Sequence, residues 1–198
     1  MLFVFDGIDG GGKSTQIDLL RAYLQTKKKT IVSKDPGSTQ LGEALRGFLL
    51  SKGDMPIDMR SEMMLFSTAR TQLVQEIVKP ALADGNFVIL DRFVMSTIVY
   101  QGHAGKLKPE DIRVVNDFAT DGLRPDHTFV LDIPVDVAMK RLGGTRDRME
   151  TRGIEYFSAV RSGFLTEAQS CPNCTVVDAT QTIDQIADAI RSIVEGII

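Results

Sequence analysis

The apolar run Leu2–Phe5 is followed by Gly7-Ile8-Asp9-Gly10-Gly11-Gly12-Lys13-Ser14, and then by a stretch in which Ile17, Leu20 and Leu24 recur at helical spacing. This is G-x-x-x-x-G-K-[ST] between a buried strand and an amphipathic helix, the context its mechanism requires. Glycines permit positive φ, so successive backbone N–H groups can converge on an anion. The start of the helix adds partial positive charge. Lys13 is placed to reach β- and γ-phosphates, and the Ser14 hydroxyl to ligate Mg²⁺. The pattern implies a bound nucleoside triphosphate and leaves the reaction open.

The rest of the chain repeats the strand–helix alternation. Apolar strands are expected at Thr30–Ser33, Phe87–Leu90, His127–Leu131 and Thr175–Val177. Helical patterns cover Ser14–Lys27, Leu41–Leu50, Ser61–Ala83, two stretches between Val94 and Ala119, Val135–Leu142, Ile154–Gln169 and Ile183–Val194. Short strands without polar alternation, separated by helices, specify an α/β fold with a parallel sheet covered on both faces. The 198 residues are expected to form one domain, at ~150 residues per domain. A net charge of −3 argues against broad nucleic-acid or membrane binding. No apolar stretch approaches the ~20 residues of a membrane span, and Met1–Phe5 is too short for a signal segment, so a cytoplasmic protein is expected. The two cysteines, Cys171 and Cys174, read as thiols in a loop, because zinc needs about four ligands and His103 and His127 are distant in sequence.

Three further groups of residues carry chemistry. Asp91 ends the third strand and so lies near the phosphate loop. It serves the Mg²⁺ hydration shell or orients an arginine, or else caps the next helix. Arg92, Ser96 and Tyr100 are spaced four apart, followed by Gln101, as one polar helical face. That face binds substrate or is simply solvated. Phe66 and Arg70, also four apart, offer a ring and a fork of donors to a nucleobase; the plain alternative is a core phenylalanine and a surface arginine. Arg141, Arg146, Arg148 and Arg152 lie among Gly143, Gly144 and Gly153. A glycine-flanked basic loop at about 143–153 suits closure over a triphosphate, or it is a solvated loop paired with Asp147 and Glu150.

Taken together these segments resemble the thymidylate kinase family over nearly the whole chain. Phe5 to Thr15 resembles its phosphate loop. Asp35-Pro36-Gly37-Ser38-Thr39 is similar to its E-P-G-G-T segment, and Gly42-Glu43-Ala44-Leu45-Arg46 to the helix that follows. Phe66-Ser67-Thr68-Ala69-Arg70 is similar to its F-x-A-x-R stretch. Asp91-Arg92-Phe93 with Ser96, Tyr100 and Gln101 resembles its most distinctive signature. Arg124-Pro125-Asp126, Leu131-Asp132, Asp147-Arg148-Met149-Glu150 and Tyr156-Phe157 complete the likeness.

The resemblance implies a three-layer P-loop fold with a five-stranded parallel sheet and an arginine-rich lid, usually as a homodimer. It implies transfer of the γ-phosphoryl of ATP to dTMP, giving dTDP and ADP for dTTP synthesis. Gly7, Asp9, Gly10, Gly11, Gly12, Lys13, Ser14 and Thr15 would then hold ATP and Mg²⁺, with Arg141 over adenine. Phe66 would stack on thymine and Arg70 contact the base. Arg46 and Arg92 would hold the acceptor phosphate, Asp9 would sit near the metal or acceptor, and Arg146 and Arg152 would act from the lid. Lys34, Asp35, Ser38, Thr68 and Ala69 depart from the family pattern. Gly10 stands where some members carry an arginine, which leaves catalytic arginines to the lid. The rivals are another P-loop nucleoside or monophosphate kinase and, from a different class, a nucleotide-hydrolysing switch; the latter is disfavoured in its GTPase form because no N-K-x-D motif is present.

Overall fold

Successive side chains of a strand point to opposite faces of its sheet, and Leu2–Asp6 (β1) shows both faces to be dry. Phe3 and Phe5 enter one apolar cluster, Leu2 and Val4 another. A strand buried on both sides must lie at the middle of a layered α/β structure. The computed structural model describes residues 1–51, 55–142 and 153–198. Within these, β1 is joined by β2 (Thr30–Lys34), β3 (Phe87–Asp91), β4 (His127–Asp132) and β5 (Cys174–Asp178) in one sheet of order β2-β3-β1-β4-β5. Every pairing is parallel. The expected five-stranded parallel sheet is observed.

Helices cover both faces. One face carries α1 (Lys13–Gln25), α8 (Ile154–Gln169) and α9 (Ile183–Glu195), which contribute Ile17, Phe164 and Ile190 to the larger cluster. On the other, α3 (Met59–Leu73) and α4 (Lys79–Ala83) contribute Leu73 and Ala81. Each fully buried Leu, Ile or Phe stabilises the fold by about 1.5–3 kcal/mol. The remaining helices are α2 (Gln40–Leu50), α5 (Val94–Thr97), α6 (Pro109–Thr120) and α7 (Val135–Leu142). Among the described residues no helix is long and apolar enough to cross a membrane.

Three expectations need correction. The long helical pattern Ser61–Ala83 is interrupted by a π turn at Val74–Val78. Pro80 has no N–H and its ring would collide with the carbonyl four residues back, and a widened turn relieves both problems. A second π turn, Ile98–His103, follows α5, so Arg92, Ser96 and Tyr100 do not share one regular helix. Cys171 and Cys174 are not free thiols but a disulfide. The turn between α8 and β5, closed by the Cys174 N–H donating to the Cys171 carbonyl, brings them together.

The strand order reverses beside β1, and ligands of such sheets bind beyond the carboxyl ends at that point. Asp6, Asp91 and the Gly7–Gly12 loop all lie there. Register places Asp91 beside Phe5.

Candidate functional site

Three helices among the described residues satisfy first-turn N–H groups with a side chain. Thr39 caps α2, Asp58 caps α3 and Thr182 with Gln185 forms a capping box on α9. α1 does not: its N-cap is Gly12, at φ 87°, with no side chain to accept. The amides of the first turn, four of which have no intrahelical partner in any helix, are thus left to an anion. Gly10 has φ 81°, and a Cβ there would meet the Ala138 carbonyl oxygen at 2.6 Å. A side chain at this position, an arginine included, is opposed by the backbone itself.

Lys13 is buried beneath this loop, its Nζ donating to the carbonyls of Ile8 (3.0 Å) and Gly7 (3.2 Å). Burial, and after it the Arg92 charge, pulls its pKa down, opposed by Asp9. An incoming polyphosphate would restore the ammonium's lost solvation.

Arg92 reaches the loop from the far side. Its backbone has φ 70°, a left-handed conformation that costs a non-glycine residue about 1–3 kcal/mol and clusters at functional sites. The side chain anchors it. Nη1 donates to the Gly7 carbonyl (3.0 Å) and to Ser96 Oγ (3.0 Å), and Nη2 to Asp9 Oδ1 (2.6 Å). Its guanidinium lies over the Tyr100 ring, 5.1 Å from the centroid. Tyr100 Oη donates to the other oxygen of Asp9 at 3.4 Å. Burial by itself favours a neutral Asp9, but Arg92 and Lys13 outweigh it and hold the carboxyl well below the usual range. The polar group read from spacing therefore assembles, though through the π turn. Ser96 lines the smaller pocket, and its one proton goes to Asp6 Oδ1 (2.5 Å), so it also links Asp6 to Arg92.

A cleft of about 690 Å³ runs from the phosphate loop past Asp91 and Arg92 to Arg141 and Gln181. A second pocket of about 90 Å³ is lined by Phe66, Arg70, Tyr100 and Gln101. The two meet at Asp9, Asp35, Arg46 and Arg92, which line both. Two compartments joined through a pair of arginines suit two phosphorylated ligands placed end to end. Arg46 donates to the Pro36 carbonyl at 3.0 Å. Gln101 faces the smaller pocket while its Nε2 donates to Glu62 (2.9 Å). Arg70 is not a surface residue but a buried one. It donates to Asp35, Asn116, the Phe93 carbonyl and Thr97.

Asp91 does not cap the following helix, since the N-cap of α5 is Phe93 and no side chain caps it. Its Oδ1 is buried and has no hydrogen-bond partner among the described residues, and the same holds for Asp6 Oδ2. Carboxylate oxygens left in this way cost free energy unless a donor or cation meets them. Together with the Ser14 hydroxyl in the same cleft, Asp91 fits a hydrated Mg²⁺, which binds through one or two carboxylates plus substrate phosphates. Asp9 fits less well as a ligand, because Arg92 and Tyr100 occupy both its oxygens.

Asp6, fully buried at the end of β1, has its pKa raised from 3.8 to about 7 by burial, opposed by Ser96 and Arg92. A carboxyl raised on folding contributes stability that is complete below its unfolded value and is lost as pH rises through the folded one. We expect Asp6→Asn to abolish a decline in unfolding free energy of ~1.4 kcal/mol between about pH 6 and pH 8. Denaturant titrations of both proteins at the two pH values would check this.

Sequence reasoning misses the wall formed by Ala179, Gln181 and Ile183. These residues follow β5 far along the chain, and no local pattern marks them. Gln16 Nε2 donates to the Ile183 carbonyl at 3.0 Å, tying α1 to the start of α9. Arg141 lies 3.5 Å from the carbonyls of Gly10 and Ala179, in the lining of the larger cleft. The arginines of the expected lid, Arg146, Arg148 and Arg152, lie outside the described residues.

Comparison with known proteins agrees with this geometry. A family model described as thymidylate kinase matches residues 5–190. The chain is 44% identical over 197 residues to a thymidylate kinase of Thermosipho africanus, with 98% of each chain covered. It is 43% identical to one of Fervidobacterium nodosum, with 94% of each covered. Among solved structures, thymidylate kinase from Ehrlichia chaffeensis superposes with a TM-score of 0.80 at 30% identity, covering 98% of both chains.

Proposed function

Because this chain belongs to the thymidylate kinase family, we propose that its larger cleft takes ATP, its smaller pocket takes dTMP, and the γ-phosphoryl group passes between them beside Arg92. The enzyme is a phosphotransferase that converts ATP and dTMP to ADP and dTDP. The observation that carries the proposed site is the meeting of both pockets at Asp9, Asp35, Arg46 and Arg92.

The chain needs no covalent intermediate for this chemistry, only position and charge. The uncapped amides of α1 and Lys13 hold the donor phosphates. Ser14 and Asp91 would hold Mg²⁺, which when bound would supply charge neutralisation to the transferring phosphates. Arg46 and Arg92 hold the acceptor phosphate, and Asp9 fixes Arg92 against the phosphate loop. Phe66 stacks on the base that Arg70 reads. Arg141 lies over adenine, and Arg146 and Arg152 close over the transferring group from the lid.

A coupled ADP-release assay against a panel of nucleoside monophosphates tests the reading. We expect dTMP to accelerate release most, dUMP less, and thymidine not at all. ADP release indifferent to every acceptor would favour a hydrolysing switch, and phosphorylation of thymidine in place of dTMP would favour a nucleoside kinase.

The protein acts in the cytoplasm as a homodimer in this reading. Val114 and Phe118, four residues apart on α6, are 69% and 89% exposed, a costly display of apolar surface unless a second copy covers it. Phe118→Asp is expected to shift the protein to monomer in light scattering.

A further inference from the structure

In the proposed function Arg70 reads the acceptor base, and the role inferred here for its neighbour Asn116 rests on that reading. A guanidinium has five N–H groups. Four of those on Arg70 are taken: Nε by Asp35, Nη2 by the Phe93 carbonyl and Thr97 Oγ1, and one hydrogen of Nη1 by Asn116 Oδ1 at 2.6 Å. The one left among the described residues is the second hydrogen of Nη1, the nitrogen that Asn116 holds. Arg70 lines the smaller pocket.

Asn116 is buried on the inner side of α6. Its amide can be oriented in only one way. Arginine only donates and a backbone carbonyl only accepts, so Oδ1 faces Arg70 and Nδ2 donates to the Val94 carbonyl, at 3.1 Å. Asparagine is suited to both bonds at once. Alanine makes neither, and aspartate keeps the first while losing the second.

We propose that Asn116 is a positioning residue for recognition of the acceptor base. By taking one hydrogen of Arg70 Nη1 it leaves a single, fixed N–H for the pocket. A single donor suits a ring carbonyl, as in thymine or uracil. It opposes an exocyclic amine at the same place, as in cytosine, where two donors would face each other. Without Asn116 the fork keeps its bonds to Asp35, the Phe93 carbonyl and Thr97 but Nη1 loses its anchor and is held less closely against the pocket, so the preference for a carbonyl weakens.

The test compares Asn116→Ala, Asn116→Asp and Phe66→Ala with the parent enzyme. For Asn116→Ala we expect KM for dTMP to rise about tenfold, the scale of one hydrogen bond to a charged group. KM for ATP should stay within about twofold, and the preference for dTMP over dCMP in kcat/KM should fall about tenfold. Asn116→Asp, which keeps an acceptor on Nη1, should hold KM for dTMP within about threefold. Unchanged selectivity in Asn116→Ala, or equal rises in both KM values, would overturn the proposal. Asn116→Ser answers the same question if the alanine protein does not fold. Phe66→Ala separates the two levels. If it leaves KM for dTMP unchanged, the base-site reading itself fails; if it raises that KM while Asn116→Ala does not, only the role of Asn116 fails.

Discussion

Lys13→Ala should lower kcat by at least ~10²-fold, the scale of one lost electrostatic donor at a reacting centre, while the protein stays folded. Lys13 is a cation that the loop buries and that, among the described residues, is bonded only to neutral carbonyls and to a distant Asp9, 3.7 Å away. A charge so poorly compensated contributes little to the folded state. Its interactions strengthen when phosphate oxygens carry the charge of the transition state, and differential binding of this kind raises turnover. Asp9 keeps its bond to Arg92 in the variant, so the network on the far side of the loop survives. Steady-state kinetics with circular dichroism on the same preparation checks both halves. A variant retaining full turnover would contradict the role assigned to Lys13.

The largest effect on stability is expected at Arg70. Arg70→Leu should cost about 3–5 kcal/mol, the penalty for breaking a buried ion pair from one side. Asp35 is buried, and its second oxygen has no partner among the described residues. Removing Arg70 would strand its carboxylate and unpair Asn116 Oδ1 and Thr97 as well. In denaturant unfolding the midpoint should fall with the slope unchanged. Arg46 makes an instructive comparison, because it is half-buried with one bond to a carbonyl. Truncating it should change stability by under ~1 kcal/mol while weakening dTMP binding. Equal stability losses at the two arginines would contradict the structural weight given to the buried bonds of Arg70 over the single carbonyl bond of Arg46.

The two arginines also show how far the sequence can be read. Strand and helix positions follow from apolar periodicity and lie within a few residues of the observed elements. The phosphate loop is set by glycines whose conformations other residues rarely adopt. These are local properties, and local properties are written in consecutive residues. Arg70 is different. Its spacing from Phe66 suggests a base contact or a solvated side chain. The observed burial depends on Asp35, Asn116 and Thr97, which come from three other segments. The orphaned oxygens of Asp6 and Asp91 depend likewise on the register of β1 with β3. Ser96 reads as a substrate contact from its spacing; only the fold reveals that Asp6 claims its proton. The π turns record a conflict between helical periodicity and a proline or a binding site, and periodicity alone does not say how it is resolved.

The central claim is that one cleft holds a donor and an acceptor so that a phosphoryl group passes directly between them. The most direct measurement tracks the γ-phosphorus of labelled ATP in the presence of dTMP. The label should appear in the β-phosphate of dTDP, with one ADP formed for each dTDP. Label released as inorganic phosphate at a rate indifferent to dTMP would contradict the account.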